Sequence, residues 1–142
     1  MLDEEGRFFH EGERVAHPKL EAAMHTWIAV HPDDGRFILD NGYDWTYFTV
    51  KGTPYFVRAL RPDATRLLLV LSDGTEEPWA PEQSRSGPGG ALVTLVKRHE
   101  RGGPFEATFS RHAQASLMPV LEEEDGRAWV RVGGGRVLLP SG

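Results

Sequence analysis

An aromatic β-hairpin in the first half of the chain decides the fold. Residues 41–48 have the sequence NGYDWTYF and follow the strand-like run RFIL at residues 36–39. The dipeptide Asn-Gly is typical of a two-residue type I′ turn, because both central residues of that turn need a positive φ. This turn pairs Ile38 with Trp45, and the alternation of side chains along a strand then assigns each residue to a face. One face carries Arg36, Ile38, Trp45 and Tyr47, and the other carries Phe37, Leu39, Thr46 and Phe48.

Apolar and aromatic side chains on both faces indicate that this hairpin is covered on both sides or lines a binding site. A strand with one face in water needs apolar residues on its other face only. The first interpretation is a strand packed between a helix and a second sheet. The second is a concave ligand pocket lined by aromatic rings with polar tips. The candidate binding residues of that pocket are Tyr43, Asp44, Trp45, Tyr47 and Arg58.

Arg58 is a candidate because of its neighbours. It alternates with Phe56 and Leu60, so the sequence predicts that all three side chains share one face of a strand. A guanidinium among apolar side chains favours an anion that it can bind through two hydrogen bonds. That anion is Asp44, a glutamate, or a small acidic ligand.

Short strands between glycine turns continue the hairpin pattern toward both ends of the chain. The runs between the turns are rich in β-branched, aromatic and leucine residues, which is typical of short antiparallel strands. The predicted strands are Arg7–His10, Glu13–Ala16, Arg36–Leu39, Trp45–Lys51, Tyr55–Leu60, Arg66–Ser72, Ala91–Arg98, Phe105–Ser110, Arg127–Val132 and Arg136–Leu139.

Two segments have helical periodicity instead. In residues 18–30, apolar side chains recur at three- and four-residue steps, so we expect a long helix behind His17 as N-cap. A shorter helix is predicted over Arg111–Leu117, with Ser110 as N-cap and an end before the next proline. The predicted fold is therefore α+β, with a curved antiparallel sheet or sheets, one long helix and one short helix. The stripe that packs the long helix onto the core consists of Leu20, Met24, Trp27 and Ile28.

The length of 142 residues suits a single domain, residues 1–142. Residues 75–90 have the sequence TEEPWAPEQSRSGPGG, and their proline and glycine content predicts a loop or linker. On each side of this loop the predicted elements include a hairpin, a helix and a second hairpin. We therefore expect two pseudo-repeats, residues 7–72 and 91–139, built on a duplicated ββαββ motif.

Composition and charge exclude several classes of protein. Twenty-one acidic against 16 basic residues give a net charge of −5, which disfavours nucleic acid as a partner. The absence of cysteine excludes disulfide frameworks, thiolate metal centres and cysteine nucleophiles. No apolar run approaches the roughly 20 residues of a membrane span, and the acidic start MLDEE is unlike a leader peptide. We therefore expect a cytoplasmic protein of bacterial type, without a metal or cofactor, that binds neither nucleic acid nor membrane.

Three segments of the first half resemble a known bacterial family. They are DEEGRFFHEGERV at residues 3–15, DGRFIL at residues 34–39 and KGTPYFV at residues 51–57, with the apolar face of the long helix between them. Together they are similar to the family catalogued as domain of unknown function 1285. The resemblance implies an α+β fold with repeated strand-and-helix motifs and a role in ligand sensing or signalling. It brings no catalytic residues.

The sequence leaves three functions open. The first is a non-enzymatic, regulatory module that binds a small ligand or a protein partner, and the absence of a complete catalytic motif supports it. The second is a small-molecule enzyme that uses a pocket near Trp45 and Arg58. The third is a structural protein whose exposed aromatic strand adds to another chain or pairs with a second copy in a homodimer. A concave aromatic pocket, a pair of titratable groups with perturbed pKa values, or a flat apolar patch would distinguish them.

Overall fold

The chain forms two α-helices and fourteen short strands in residues 1–98, 102–132 and 135–140, the part that a computed structural model describes. Three 3₁₀ helices, Pro81–Gln83, Pro88–Gly90 and Met118–Val120, lie between them. In chain order the elements are β1 (Phe9–His10), β2 (Glu13–Arg14), α1 (Pro18–Thr26), β3 (Ile28–Val30), β4 (Phe37–Asp40), β5 (Trp45–Tyr47), β6 (Tyr55–Asp63), β7 (Arg66–Leu71), β8 (Glu76–Pro78), β9 (Arg85–Ser86), β10 (Leu92–Val96), β11 (Phe105–Phe109), α2 (Arg111–Ala115), β12 (Leu121–Glu124), β13 (Arg127–Val132) and β14 (Gly135–Leu138).

The strands form one large sheet and three small ones. The large sheet has the order β8-β7-β6-β11-β10-β9, and the small sheets are β3-β4-β5, β12-β13-β14 and the pair β1-β2. The predicted α+β fold with largely antiparallel sheets is confirmed. One pair, β6 and β11, is parallel instead. Parallel neighbours need a long crossover connection, and the one between these strands contains four other strands, so no local sequence pattern indicates the pairing.

Helix α1 is shorter than predicted. His17 is its N-cap as expected, with Nδ1 accepting a hydrogen bond from the N–H of Leu20 at 3.2 Å. The helix ends before Trp27, whose N–H bonds back to the last helical turn. Residues Ile28–Val30 then form β3 and pair with β4 instead of continuing the helix. Tertiary pairing of β-branched residues therefore overrides the helical periodicity in the last turn.

Helix α2 begins as predicted but ends at Ala115, two residues before the predicted end at Leu117, and the predicted linker at residues 75–90 has a different structure. Ser110 is the N-cap of α2, and its Oγ accepts a hydrogen bond from the N–H of Ala113 at 3.1 Å. Residues 75–90 are not a linker, because they contain β8 and β9, the two edge strands of the large sheet. Buried Trp79 fixes this segment by donating its indole N–H to Ser84 Oγ at 3.1 Å.

A similar order of elements occurs twice along the chain. A strand pair, a helix and a three-stranded sheet follow one another as β1-β2, α1 and β3-β4-β5, and again as β10-β11, α2 and β12-β13-β14. Each copy has one strand more than the predicted ββαββ unit. Duplication of residues 7–72 and 91–139, and the single domain 1–142, stay predictions.

The aromatic hairpin is paired two residues away from the predicted register. Ile38 lies opposite Tyr47, and Asp40 lies opposite Trp45. A shift of two residues keeps every side chain on its predicted face, because the strand alternation has a period of two.

The loop of the hairpin explains this shift. Asn41 Oδ1 accepts hydrogen bonds from the N–H groups of Tyr43 and Asp44 at 2.9 and 2.8 Å. Asn41 therefore opens an Asx turn instead of occupying the centre of a two-residue turn. Gly42 supplies the positive φ, 93°, that the resulting four-residue loop needs.

One hydrophobic cluster connects the N-terminal segment, the sheet β3-β4-β5, the large sheet and α2. No described helix combines the length and the apolar character that crossing a membrane requires. The largest completely buried side chains are Tyr55, Phe8, Leu2, Ile28, Leu69, Leu71, Leu117, Val57, Val96 and Val130.

Candidate functional site

An open groove of about 770 Å³ lies between three elements of the first half of the chain. These elements are the strand pair β1-β2, helix α1 and the hairpin β4-β5. The volume lies within the range of small-ligand sites, roughly 300–1,000 Å³. The apolar side chains that line the groove include Phe9 from β1 and Val15 directly after β2, Leu20 and Trp27 from the helix region, and Trp45 and Tyr47 from the hairpin.

The apolar stripe of α1 forms one wall of this groove. Leu20 is 43% exposed, and Met24 and Trp27 are half-buried, whereas Ile28 is completely buried in β3. The prediction that all four pack into the core is therefore wrong for Leu20 and only partly right for Met24 and Trp27. An apolar stripe predicts that a helix face is removed from water, but it does not indicate whether a sheet of the same protein or a bound ligand covers that face.

Trp45 and Tyr47 form the exposed aromatic surface of the site. They are 49% and 37% exposed, and their rings are 5.2 Å apart and nearly perpendicular. The His31 ring lies 4.7 Å from Trp45, and the Arg36 guanidinium lies 3.9 Å above the Tyr47 ring. The Tyr47 hydroxyl donates a hydrogen bond to Asp34 at 2.5 Å, which lowers the pKa of Asp34 and raises the pKa of Tyr47. Polar neighbours therefore hold both rings in place while part of each ring stays accessible.

The hairpin loop contains two further predicted site residues, with different outcomes. Asp44 lines the groove. Tyr43 is 95% exposed and is not among the described residues that line the groove. The structure therefore brings Asp44 together with Trp45 and Tyr47, and it leaves Tyr43 outside this group.

Arg58 lies outside the groove as well. The pairing of β6 with β7 shifts between Val57 and Ala59, which places Arg58 at a β-bulge. A bulge interrupts the side-chain alternation that predicted a shared face with the aromatic pocket. Arg58 Nη2 instead lies 3.5 Å from Nε2 of His25. Of the predicted pair, Trp45 is among the described residues that line the groove and Arg58 is not.

His25 is the buried titratable group beside Arg58. Its Nε2 lies 3.1 Å from the carbonyl oxygen of Gly6, while Nδ1 has no hydrogen-bond partner among the described residues. Burial, and then the guanidinium of Arg58, lower the pKa of His25. The side chain is therefore neutral in the native protein near pH 7.

The groove itself carries little charge. Its charged and titratable groups include the Asp44 carboxylate, the His10 imidazole and the amino group of Met1, and none of the described lining residues is Lys or Arg. The carboxylate near the His10 ring is that of Glu11, whose Oε1 lies 4.0 Å from His10 Nε2. Elsewhere in the described part of the chain, no three metal-ligating side chains come together. A surface of this kind binds apolar and aromatic groups through buried area and ring contacts.

The structure is thus an α+β protein with an open, largely uncharged groove beside an aromatic hairpin. Its sequence matches no protein-family model and no curated protein. A DUF1285 family protein from Silicibacter pomeroyi DSS-3 has a similar structure, with 20% identity and a TM-score of 0.70 over 98% of this chain and 76% of that chain. A DUF1285 family protein from Shewanella baltica OS155 is also similar, with 14% identity and a TM-score of 0.58 over 78% of this chain and 82% of that chain.

These likenesses show that the chain has the fold of DUF1285 family proteins. The resemblance that the sequence showed to this family is thereby confirmed in the fold.

Proposed function

We propose that this protein is a non-enzymatic binding module and that the groove is its ligand site. The observation that carries this proposal is the exposure of Leu20, Trp45 and Tyr47 around one concave surface. Exposed apolar area costs about 25 cal/mol per Å² relative to burial. Large apolar side chains that cluster in a groove are typical of surfaces that a ligand or partner covers.

The lining also indicates the chemistry of the ligand. The acidic ligand expected from the sequence depends on Arg58, which lies beside His25 and outside the groove. Without that guanidinium, the apolar and aromatic lining favours an apolar or aromatic group with few polar atoms. A regulatory or signalling role in the cytoplasm, in line with the family resemblance, belongs to the same proposal.

The enzyme alternative has less support than the binding module. It requires a pocket that Trp45 and Arg58 share, and these residues lie in different places. His10 and Asp44 in the groove show no hydrogen bond to each other. The hydrogen bond from Tyr47 to Asp34 raises the pKa of Tyr47 and lowers the pKa of Asp34, so both values move away from neutral pH. General acid–base catalysis is most efficient when the pKa of the catalytic group lies near the working pH.

Titration with N-phenyl-1-naphthylamine, an uncharged aromatic dye, tests the proposal. We expect a saturable rise in fluorescence with the wild-type chain. Leu20→Glu places a carboxylate in the groove and should weaken binding by roughly tenfold or more, since desolvating a charge costs more than 1.4 kcal/mol. Leu138→Glu is the matched control, because Leu138 is also an exposed leucine (36%) but lies on β14 and outside the groove. The absence of saturable binding, or an equal loss in both variants, would contradict the proposal.

A further inference from the structure

The hydrogen bonds of the aromatic hairpin define which backbone groups of β5 are used. The N–H of Phe48 donates to the carbonyl of Phe37 at 3.3 Å, and the N–H of Asn41 donates to the carbonyl of Asp44 at 3.2 Å. In an antiparallel pair, hydrogen-bonded and non-hydrogen-bonded residue pairs alternate. The even-numbered residues of this strand therefore bond to β4, and its odd-numbered residues direct their N–H and C=O groups to the opposite edge.

The outward row of backbone groups is paired at one end and open at the other. At the paired end, the N–H of Leu2 donates to the carbonyl of Thr49 at 2.8 Å, and the N–H of Lys51 donates to the carbonyl of Leu2 at 2.9 Å. At the other end, none of the described residues accepts from the N–H of Trp45 or Tyr47, and the carbonyl of Tyr47 accepts a long hydrogen bond, 3.4 Å, from the hydroxyl of its neighbour Thr46. We call the strand position beside these two residues the open lane. It continues the line that the N-terminal segment occupies next to residues 49–51.

The groove occupies the open lane. Trp45 and Tyr47 project from one face of the strand and Thr46 and Phe48 from the other, yet all four line the groove. Leu39 of β4, the partner of Thr46, lines the groove too. A cavity over one face would contact alternate residues of β5 only, so the groove covers the face that carries Leu39 and continues around the outer edge of β5. Its opposite walls come from β1-β2 and α1. A single extended chain fits such a lane, whereas the edge of a second folded copy would bring its own neighbouring strands into these walls.

We infer that the ligand of the groove is an extended peptide segment that adds to β5 as a further strand. This inference rests on the proposed function of the groove. The N–H and C=O groups of the peptide would bond to the outward groups of Trp45 and Tyr47, and its side chains would alternate between the two exposed rings and the apolar wall at Leu20. Because the lining is largely apolar, the bound stretch is apolar at alternate positions. β5 has three residues, which matches a bound stretch of about three to four.

Tyr47→Pro against Tyr47→Ala is the decisive comparison. Proline removes the outward N–H, and edge strands tolerate proline where the N–H faces outward. Alanine removes the same ring and keeps the N–H. The probe is a phage-displayed library of random octapeptides, selected on the purified wild-type chain, with the enriched peptide then synthesised and titrated. We expect enrichment of apolar residues at alternate positions, weaker binding by Tyr47→Ala, and about a further tenfold loss for Tyr47→Pro.

Amide hydrogen exchange on the wild-type chain tests the same contact without a variant. The bound peptide should protect the N–H groups of Trp45 and Tyr47 and leave Thr46, already bonded to β4, unchanged. Equal binding by the two Tyr47 variants, no enriched peptide, or no protection at Trp45 and Tyr47 would overturn the peptide inference. If the peptide tests fail and the dye still binds, only the peptide inference is contradicted. If the dye does not bind either, the proposed function is contradicted as well. A concentration-dependent dimer that Tyr47→Pro abolishes would make a second copy the occupant and would also overturn the peptide inference.

Discussion

Lys97→Met would break a buried ion pair that joins the end of β10 to the turn after β7. Lys97 Nζ lies 2.8 Å from Asp73 Oδ2, and the two side chains are only 7% and 8% exposed. Without the ammonium, the donors that the described residues still offer to the Asp73 carboxylate are the hydroxyl and the N–H of Thr75, at 2.6 and 3.1 Å. Loss of one partner of a buried pair costs about 3–5 kcal/mol of unfolding free energy. For a chain of this size that loss corresponds to a decrease in Tm of roughly 6–20 °C.

Urea unfolding at pH 7, followed by tryptophan fluorescence, measures this loss. The matched control is Arg61→Met, which breaks the 2.6 Å pair of Arg61 with Glu76, in which both side chains are exposed. Exposed pairs contribute little to stability, so the control should unfold almost as the wild type does. Equal losses in Lys97→Met and Arg61→Met would refute the reasoning from burial.

The pH dependence gives a second readout for the same pair. Burial alone raises the pKa of Asp73, but the hydrogen bonds from Lys97 and Thr75 outweigh it and bring the pKa below its usual value. In the wild type, the stability from this carboxylate is therefore present above the pKa of an unfolded Asp and is lost as the pH falls below about 4. In Lys97→Met the burial effect is no longer outweighed by the ammonium, so the deficit of the variant against wild type should shrink between pH 7 and pH 4.

Three further outcomes are expected. Burial, and then Arg58, lower the pKa of His25 below its usual 6.5. As the pH falls below about 6.5, the unfolded chain therefore binds the proton before the folded chain does, and stability should decrease. Urea unfolding at pH 7.5 and 5.5 should show a smaller decrease for His25→Leu than for the wild type, and an equal decrease in both would contradict this. Leu2→Ala removes a completely buried side chain and should lower the unfolding free energy by about 2–5 kcal/mol in the same assay. Unchanged stability would contradict the place of Leu2 in the hydrophobic cluster. Ser84→Ala leaves the buried indole N–H of Trp79 without its acceptor and should cost about 1–3 kcal/mol, which thermal unfolding checks against the wild type.

Local features of the fold could be predicted because the residues that determine them are close together in sequence. The caps His17 and Ser110 each bond an N–H three residues ahead, so their roles follow from a short segment. The faces of the aromatic hairpin also follow from alternation alone. Its register does not, because the side chain of Asn41 takes up the turn hydrogen bonds and lengthens the loop by two residues.

The candidate site was only half predictable, for two physical reasons. Arg58 occupies a β-bulge, and the extra residue of a bulge becomes visible only when the pairing with β7 is known. The helix wall of the groove was assigned to the core, since Leu20 and Trp27 satisfy the same periodicity whether protein or ligand covers them. Trp45, Tyr47 and Asp44 were identified because the hairpin is richer in aromatic residues than a sheet with one covered face needs.

The pairing of Leu2 beside residues 49–51 has a practical consequence for anyone who purifies this protein. Met1 lines the groove, and its amino group bonds to the carbonyl of Phe9 at 2.8 Å. An affinity tag fused ahead of Met1 would begin next to the unpaired part of β5, where tethering gives it an effective concentration in the millimolar range. Such a tag would act as an intramolecular competitor. The same synthetic peptide should therefore show a higher apparent Kd with an N-terminal tag than with a C-terminal one.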